Sequence, residues 1–223
     1  MTERILFVFE GEKTEKTITD SLLKKFIEND KRVVLSSFKT DIYSLYKLMS
    51  EDEDLDVFAV LKEKNPDLVD FDRDSFSQLF LFFDYDGHAP AASDEKIDKL
   101  LSFFNEETEN GKLFISYPMV ESIKCISHID AIEDFCRHTV KICDCSKFKG
   151  YVAEYAHKSL IHFNLYSDEI WNDVVRMHCV KSNFIMKGNM IFPSNYFSQK
   201  DIFGMQKSKY IDPNGSVSTL SSF

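Results

Sequence analysis

No apolar run in this chain reaches the roughly 18–20 residues that a helix needs to cross a bilayer. The N-terminus, MTERILFVFEGE, has no signal-peptide layout, because acidic residues flank its short apolar run. A cytoplasmic protein without membrane contact is therefore expected. Cysteine is odd in number. Cys125, Cys136, Cys143, Cys145 and Cys179 lack secretory spacing, so reduced thiols are expected rather than a disulfide framework. No G-x-x-x-x-G-K-[ST] or G-x-G-x-x-G stretch occurs, which leaves the chain without a P-loop or dinucleotide fingerprint. The stretch CRHTVKICDC has no C-x-x-C knuckle, and His157 and His162 are not at the i, i+4 spacing of a helical metal pair. Ordinary thiols and histidines are expected there. Internal repeats, low-complexity blocks and flexible interdomain linkers are absent from the sequence.

A basic surplus is also lacking. The net charge of −10 argues against indiscriminate binding to nucleic acid. The charge is uneven, however. Residues 1–136 hold 16 Lys and Arg against 30 Asp and Glu, whereas residues 137–210 hold 11 against 6. The basic part either faces phosphate or is simply solvated.

What is present is an ordinary globular composition, 43% hydrophobic and 29% charged, with 21 Phe. Each buried ring contributes on the order of 2–3 kcal/mol, so aromatic bulk is expected to fill the core. RILFVFE reads as a strand buried on both faces. An amphipathic helix follows, with Ile18, Leu22, Leu23, Phe26 and Ile27 on one face. RVVLSSF is a second strand. A helix from near Asp41 places Ile42, Leu45, Tyr46 and Met49 together. DLDVFAVLKEKN reads as a further helix or, over VFAVL, a strand. SQLFLFFDYD is the strongest strand, and GHAPAAS is a loop. SDEKIDKLLSFFNEETENG reads as a helix with an acidic first turn and Gly111 near its end. KLFISYP is a fourth strand. This order implies a mostly parallel four-stranded sheet flanked by helices over residues 1–126. Residues 127–223 read as a mainly helical C-terminal extension packed on it, with NGSVSTLSSF as a loose tail.

Open parallel sheets gather ligand sites at the carboxyl ends of their strands. Glu10 follows the first strand, Asp84 and Asp86 the third, and Glu121 the fourth. Four carboxylates brought to one edge repel each other unless a cation compensates them, and Mg²⁺ or Mn²⁺ suits oxygen ligands. In an extended D-x-D segment, alternate side chains point the same way. Gly11 and Gly87 permit sharp turns beside the acids. A lone D-x-D also serves as a solvated turn or a helix cap.

The stretches ILFVFEGEKTE, LFLFFDYDGH and YPMVESI together resemble the Toprim catalytic domain over roughly residues 4–125. The likeness is nearest to the RloB-like, OLD-type and PARIS-type Toprim defence nucleases. The resemblance implies that Glu10 is a metal ligand or general acid/base, that Asp84 and Asp86 bind Mg²⁺ or Mn²⁺, and that Glu121 completes the site. Glu15 would match a second acidic position, at an offset one residue longer than the OLD-type spacing. His88 either contacts phosphate or is a surface loop residue. The implied activity is metal-dependent hydrolysis of phosphodiester bonds in DNA or RNA, including tRNA. The implied role is the toxic effector of an antiphage system under a separate ATPase partner, with homo-oligomers allowed. Lys13, Lys124, Lys158 and Lys181 are candidates to neutralise phosphate. Two other readings remain open. One is a non-catalytic Toprim-like regulatory or scaffolding subunit. The other is a phosphatase or phosphotransferase using the same D-x-D.

Overall fold

The computed structural model describes residues 4–26, 32–52 and 55–222. The chain forms two compact units, Met1–Phe83 with Glu95–Phe114, and Asp84–Asp94 with Ile115–Phe223.

The first unit is an α/β layer around a mostly parallel sheet. Its strands are β1 (Arg4–Phe9), β2 (Arg32–Ser37), β3 (Gln78–Asp84), β4 (Asn105–Glu106) and β5 (Gly111–Ser116), in the order β2-β1-β3-β5-β4. β1 pairs in parallel with both β2 and β3, from Arg4 opposite Arg32 and from Ile5 opposite Gln78. Four strands were expected. The fifth, β4, is a two-residue antiparallel edge on β5. It interrupts the long helix expected after the GHAPAAS loop, so that helix ends at Phe103.

β1, expected to be buried on both faces, buries four of its six residues and half-buries Arg4 and Phe7, and β3 alternates between buried and half-buried positions. Leu79, Leu81 and Phe83 face the core. The other face is aromatic: Phe7 lies 5.6 Å from Phe80 and 5.5 Å from Phe82, and Phe82 stacks on Phe114 at 5.3 Å. Edge-to-face and offset-stacked rings of this kind add to their burial energy. The run is therefore apolar throughout although only one face is fully covered.

The helices of this unit follow their periodicity. α1 (Thr14–Phe26) buries Ile18 and half-buries Leu22 and Leu23, while Ile27 and the side chain of Phe26 lie outside the described residues. α2 (Ile42–Glu51) starts where Asp41 accepts the amide of Ser44 at 2.8 Å. α3 (Val57–Lys64) is capped likewise by Asp56, which settles VFAVL as helix. α4 (Asp94–Phe103) buries Ile97, Leu100 and Leu101.

Gly111 opens β5 at φ +108°, and an added Cβ would sit 3.0 Å from Leu79 and 3.1 Å from Leu81. It thus begins a strand rather than ending a helix. Gly111→Ala is expected to destabilise the protein by about 1–3 kcal/mol in urea unfolding, through strained backbone and core overlap. Equal midpoints for the two proteins would remove this account of the turn.

The second unit is richer in helix but is not only helical. It holds α5 (Ile132–Arg137), β6 (Thr139–Lys141), α6 (Phe148–Tyr155), α7 (Asp168–Lys187), α8 (Gln199–Gln206) and β7 (Ser216–Ser218). β6 and β7 form an antiparallel ribbon. The C-terminal segment expected to be loose is buried: Val217 and Thr219 are fully covered, and Leu220 bridges to Tyr117. Its backbone finds partners. Gln206 both donates to the carbonyl of Ser218 (2.7 Å) and accepts its amide (2.9 Å). The fully buried Lys181 donates to Phe135 O, His138 O and Thr219 Oγ1 at 2.6–2.9 Å. A polar tail is held because the Ser218 backbone and the Thr219 hydroxyl are bonded inside the unit. No helix among the described residues is long and apolar enough to cross a membrane.

Candidate metal centre

The predicted site residues divide between the two units. Glu10 and Glu15 belong to the first; Asp84, Asp86 and Glu121 belong to the second.

Glu10 stands directly after β1. Its amide donates to Phe82 O (3.0 Å), and its carbonyl accepts the amide of Lys39 (3.1 Å). The backbone at Glu10 is therefore pinned at the carboxyl end of β1, between β2 and β3. Glu15 turns back from the first turn of α1. Its Oε1 accepts the Gly11 amide at 3.2 Å, and only 8% of the residue is exposed. A Cβ at Gly11 would lie 2.8 Å from that oxygen. Glycine leaves room for this close approach, and Glu15 acts as the clamp of the β1–α1 turn.

In the second unit the D-x-D segment runs beside residues 116–120. Tyr85 N donates to Ser116 O (3.0 Å), and Asp86 N donates to Pro118 O (3.2 Å). Asp84 Oδ1 accepts the amide of Val120 at 2.8 Å. One carboxylate oxygen of Asp84 is thus oriented by the residue that precedes Glu121. β3 ends at Asp84, and Asp86 adopts a left-handed φ of +43°. The two aspartates consequently do not continue one extended segment, and strand alternation does not set their directions. The left-handed turn is stabilised by Ala89 N donating to Asp86 O (2.8 Å).

Tyr85 is a structural anchor that the sequence reading did not single out. It is buried, packs at a tilt against Tyr117 (5.5 Å) and Phe203 (6.3 Å), and donates its hydroxyl to Asp94 Oδ1 at 2.7 Å. A Cβ at Gly87 would collide with its ring. Glycine follows the D-x-D because the ring folds over it.

Glu121 lies in a short 3-10 turn, Val120–Lys124, and is 7% exposed. Its Oε1 faces Lys149 Nζ of α6 at 3.4 Å. Its Oε2 is buried without a hydrogen-bond partner. A carboxylate oxygen withdrawn from water and left without a donor is costly, and a bound cation is one way to satisfy it. Lys149 was not among the lysines considered from sequence. A lysine on a helix carries no local sign of a pairing with a carboxylate nearly thirty residues earlier. Of the four that were considered, Lys181 is buried and holds three oxygens of its own unit, and Lys124 lies over the ring of Phe163 at 5.2 Å.

His88 Nδ1 is 3.9 Å from Asp86 Oδ1, so the loop histidine lies beside the second aspartate. Burial pushes the Cys145 thiol up to about 12, helped by the charges of Asp86 and Asp144. That thiol stays protonated and is no nucleophile at neutral pH.

Among the described residues, no three His, Cys, Asp or Glu side chains are gathered tightly enough to hold a metal ion by themselves. The donor chemistry still suits Mg²⁺ or Mn²⁺. Mg²⁺ commonly takes one or two carboxylates and completes its shell with water and substrate phosphate. The chain matches no protein-family model, no curated protein and no solved structure.

Proposed function

We propose that this protein is a Toprim-type, metal-dependent nuclease that hydrolyses phosphodiester bonds in DNA or RNA, tRNA included. The observation that carries the reading is the buried Glu121 Oε2 with no partner, next to the segment that orients Asp84. Asp84, Asp86 and Glu121 are assigned to Mg²⁺ or Mn²⁺. Glu10, at the carboxyl end of β1, is assigned the ligand or acid/base role that the resemblance gives it. A divalent cation supplies an activated water and charge neutralisation at the phosphate. The residues of the chain do the rest. Val120 N–H fixes the Asp84 carboxylate, and Lys149, whose side chain is largely exposed, offers a positive charge to the scissile phosphate. Glu15 keeps its place as the clamp on Gly11, so its replacement acts through the β1–α1 turn. The effector role, the partner ATPase and a cytoplasmic setting are carried by the family resemblance and belong to the same proposal.

The test uses plasmid, single-stranded DNA and total tRNA with Mg²⁺ or Mn²⁺. Cleavage that is lost in EDTA, and lost about 100-fold or more in Asp84→Asn, is the expected result. Glu10→Gln in the same assay reads whether the first unit contributes to the chemistry.

The second reading is a non-catalytic Toprim-like subunit that scaffolds an ATPase or nuclease. The absence of a three-ligand cluster among the described residues favours it. Inactivity on all three substrates with either metal, together with stable co-purification with an ATPase, would select it.

A further inference from the structure

We propose that the loop between α7 and α8, residues 188–198, is a binding surface for single-stranded nucleic acid, with unpaired bases stacking on Phe192 and Tyr196 and phosphates facing Lys187 and Lys200. The inference rests on the nuclease reading for its substrate class, and it concerns a surface distinct from the carboxylates.

Three apolar side chains stand out from this loop. Ile191 is 66% exposed, Phe192 57% and Tyr196 81%. Apolar groups displayed together in this way mark an interaction surface when the backbone beneath them is fixed. It is fixed here. α7 ends on Gly188 in the left-handed conformation, whose amide donates to Phe184 O at 2.8 Å. Asn183 donates its side-chain amide to Asn189. The Lys187 ammonium sits over the Phe197 ring at 5.3 Å. Ser198 caps α8, accepting the amide of Asp201 at 3.0 Å. α8 is in turn tied within its unit through Gln199, which accepts the Ile115 amide at 3.2 Å, and reaches the ring of Tyr85 with Phe203. The loop is thus held at both ends, and through α8 it is braced on the residue between the two aspartates.

The charge around it selects the partner. The chain has 37 acidic residues, yet none falls between Val174 and Lys200. Lys187 and Lys200 are exposed, and Lys209 donates to Ile185 O at 2.6 Å, bringing a third ammonium to the end of α7. Asp201 is the nearest acid in sequence, and it is bonded to the Ser198 hydroxyl at the end of the loop. Exposed rings on a loop flanked by lysines suit a polyanion with accessible base faces. In a duplex the base faces are already stacked on one another, which leaves the rings nothing to cover. An otherwise acidic protein needs such a local patch to hold its substrate at all.

The test is fluorescence anisotropy with labelled 15-nucleotide oligo(dT) and oligo(U), and with a duplex of equal length, all in EDTA so that nothing is cut. Single strands are expected to bind more tightly than the duplex. Tyr196→Ala and Phe192→Ala are each expected to weaken single-strand binding about tenfold, with melting temperatures unchanged. Lys187→Gln and Lys200→Gln are each expected to lower the slope of log affinity against log salt by about 0.7. Oligonucleotide binding that ignores all four substitutions overturns the proposal. So does loop-dependent binding to phosphatidylserine vesicles without oligonucleotide binding, and so does loop-dependent dimerisation in sedimentation. The two proposals fail separately. Loop-dependent binding without cleavage in Mg²⁺ or Mn²⁺ defeats the nuclease alone, and cleavage with binding indifferent to the loop defeats the surface alone.

Discussion

Replacing Glu121 by methionine is expected to stabilise the metal-free protein and to abolish its metal-dependent cleavage. Glu121 is 7% exposed, and its Oε2 has no donor. A buried polar atom without a partner costs about 1–3 kcal/mol. Its other oxygen meets Lys149 at 3.4 Å, but that lysine side chain is 68% exposed, so solvent screens the pair and little is lost with it. Methionine keeps the length and removes the unpaired oxygen. The melting temperature without metal should therefore rise, by about 2–4 °C for each kcal/mol in a chain of this size. Mg²⁺ or Mn²⁺ should raise the melting temperature of the wild type and leave the variant unmoved, because only a state that binds is stabilised by ligand. Cleavage should fall on the order of 100-fold or more. A structural glutamate would give the opposite pattern: a less stable variant that still cuts. That result, or an equal metal-induced shift in both proteins, would take Glu121 out of the site.

The parts of the fold that were legible are those fixed by local pattern. The apolar run of β3, the helical spacing of α1 and α2, and the Asp41 cap are readable because each is decided within a few residues. What was hidden depends on pairing across the sequence. Asn105 and Glu106 look like the end of a helix, and only the register with Gly111 and Lys112 makes them strand. Thr139–Lys141 sits in a stretch with helical composition and becomes β6 because Ser216–Ser218 returns to it. The serine-rich end reads as solvent-loving until Gln206 and Lys181 are seen to bind it. The acids of the candidate site were legible as residue types at strand ends. Their geometry was not. Asp86 leaves the extended conformation, Glu15 closes on Gly11, and Glu121 acquires Lys149, each through contacts that spacing alone does not contain.

Acidification is expected to destabilise the second unit through His178. His178 is 6% exposed on α7. Its Nε2 contacts Ile123 O at 3.2 Å, and its Nδ1 accepts the amide of Ser221 at 3.1 Å. The neutral ring with its proton on Nε2 satisfies both bonds. A second proton would be placed on Nδ1, where Ser221 N–H already points. Burial, opposed by the bond to Ile123 O and aided by the charge of Lys181, lowers the pKa to about 3. In the unfolded chain the ring takes its proton near pH 6.5. Between those values the unfolded state holds one more proton than the folded state, so stability falls as the pH falls. The contribution is fully present above about pH 6.5 and is lost progressively toward pH 3, on the order of 5 kcal/mol in all. That is a large share of the 5–15 kcal/mol typical of a domain. The only tryptophan, Trp171, lies buried on the same helix and reports the transition by fluorescence. Urea unfolding at pH 7.5 and 4.5 should show a steep loss in the wild type and a shallower one in His178→Gln, which does not titrate here. The release should begin at the C-terminal segment, because the Ser221 bond is the one that protonation breaks. Parallel losses in the two proteins would mean that His178 is not the group through which acid acts.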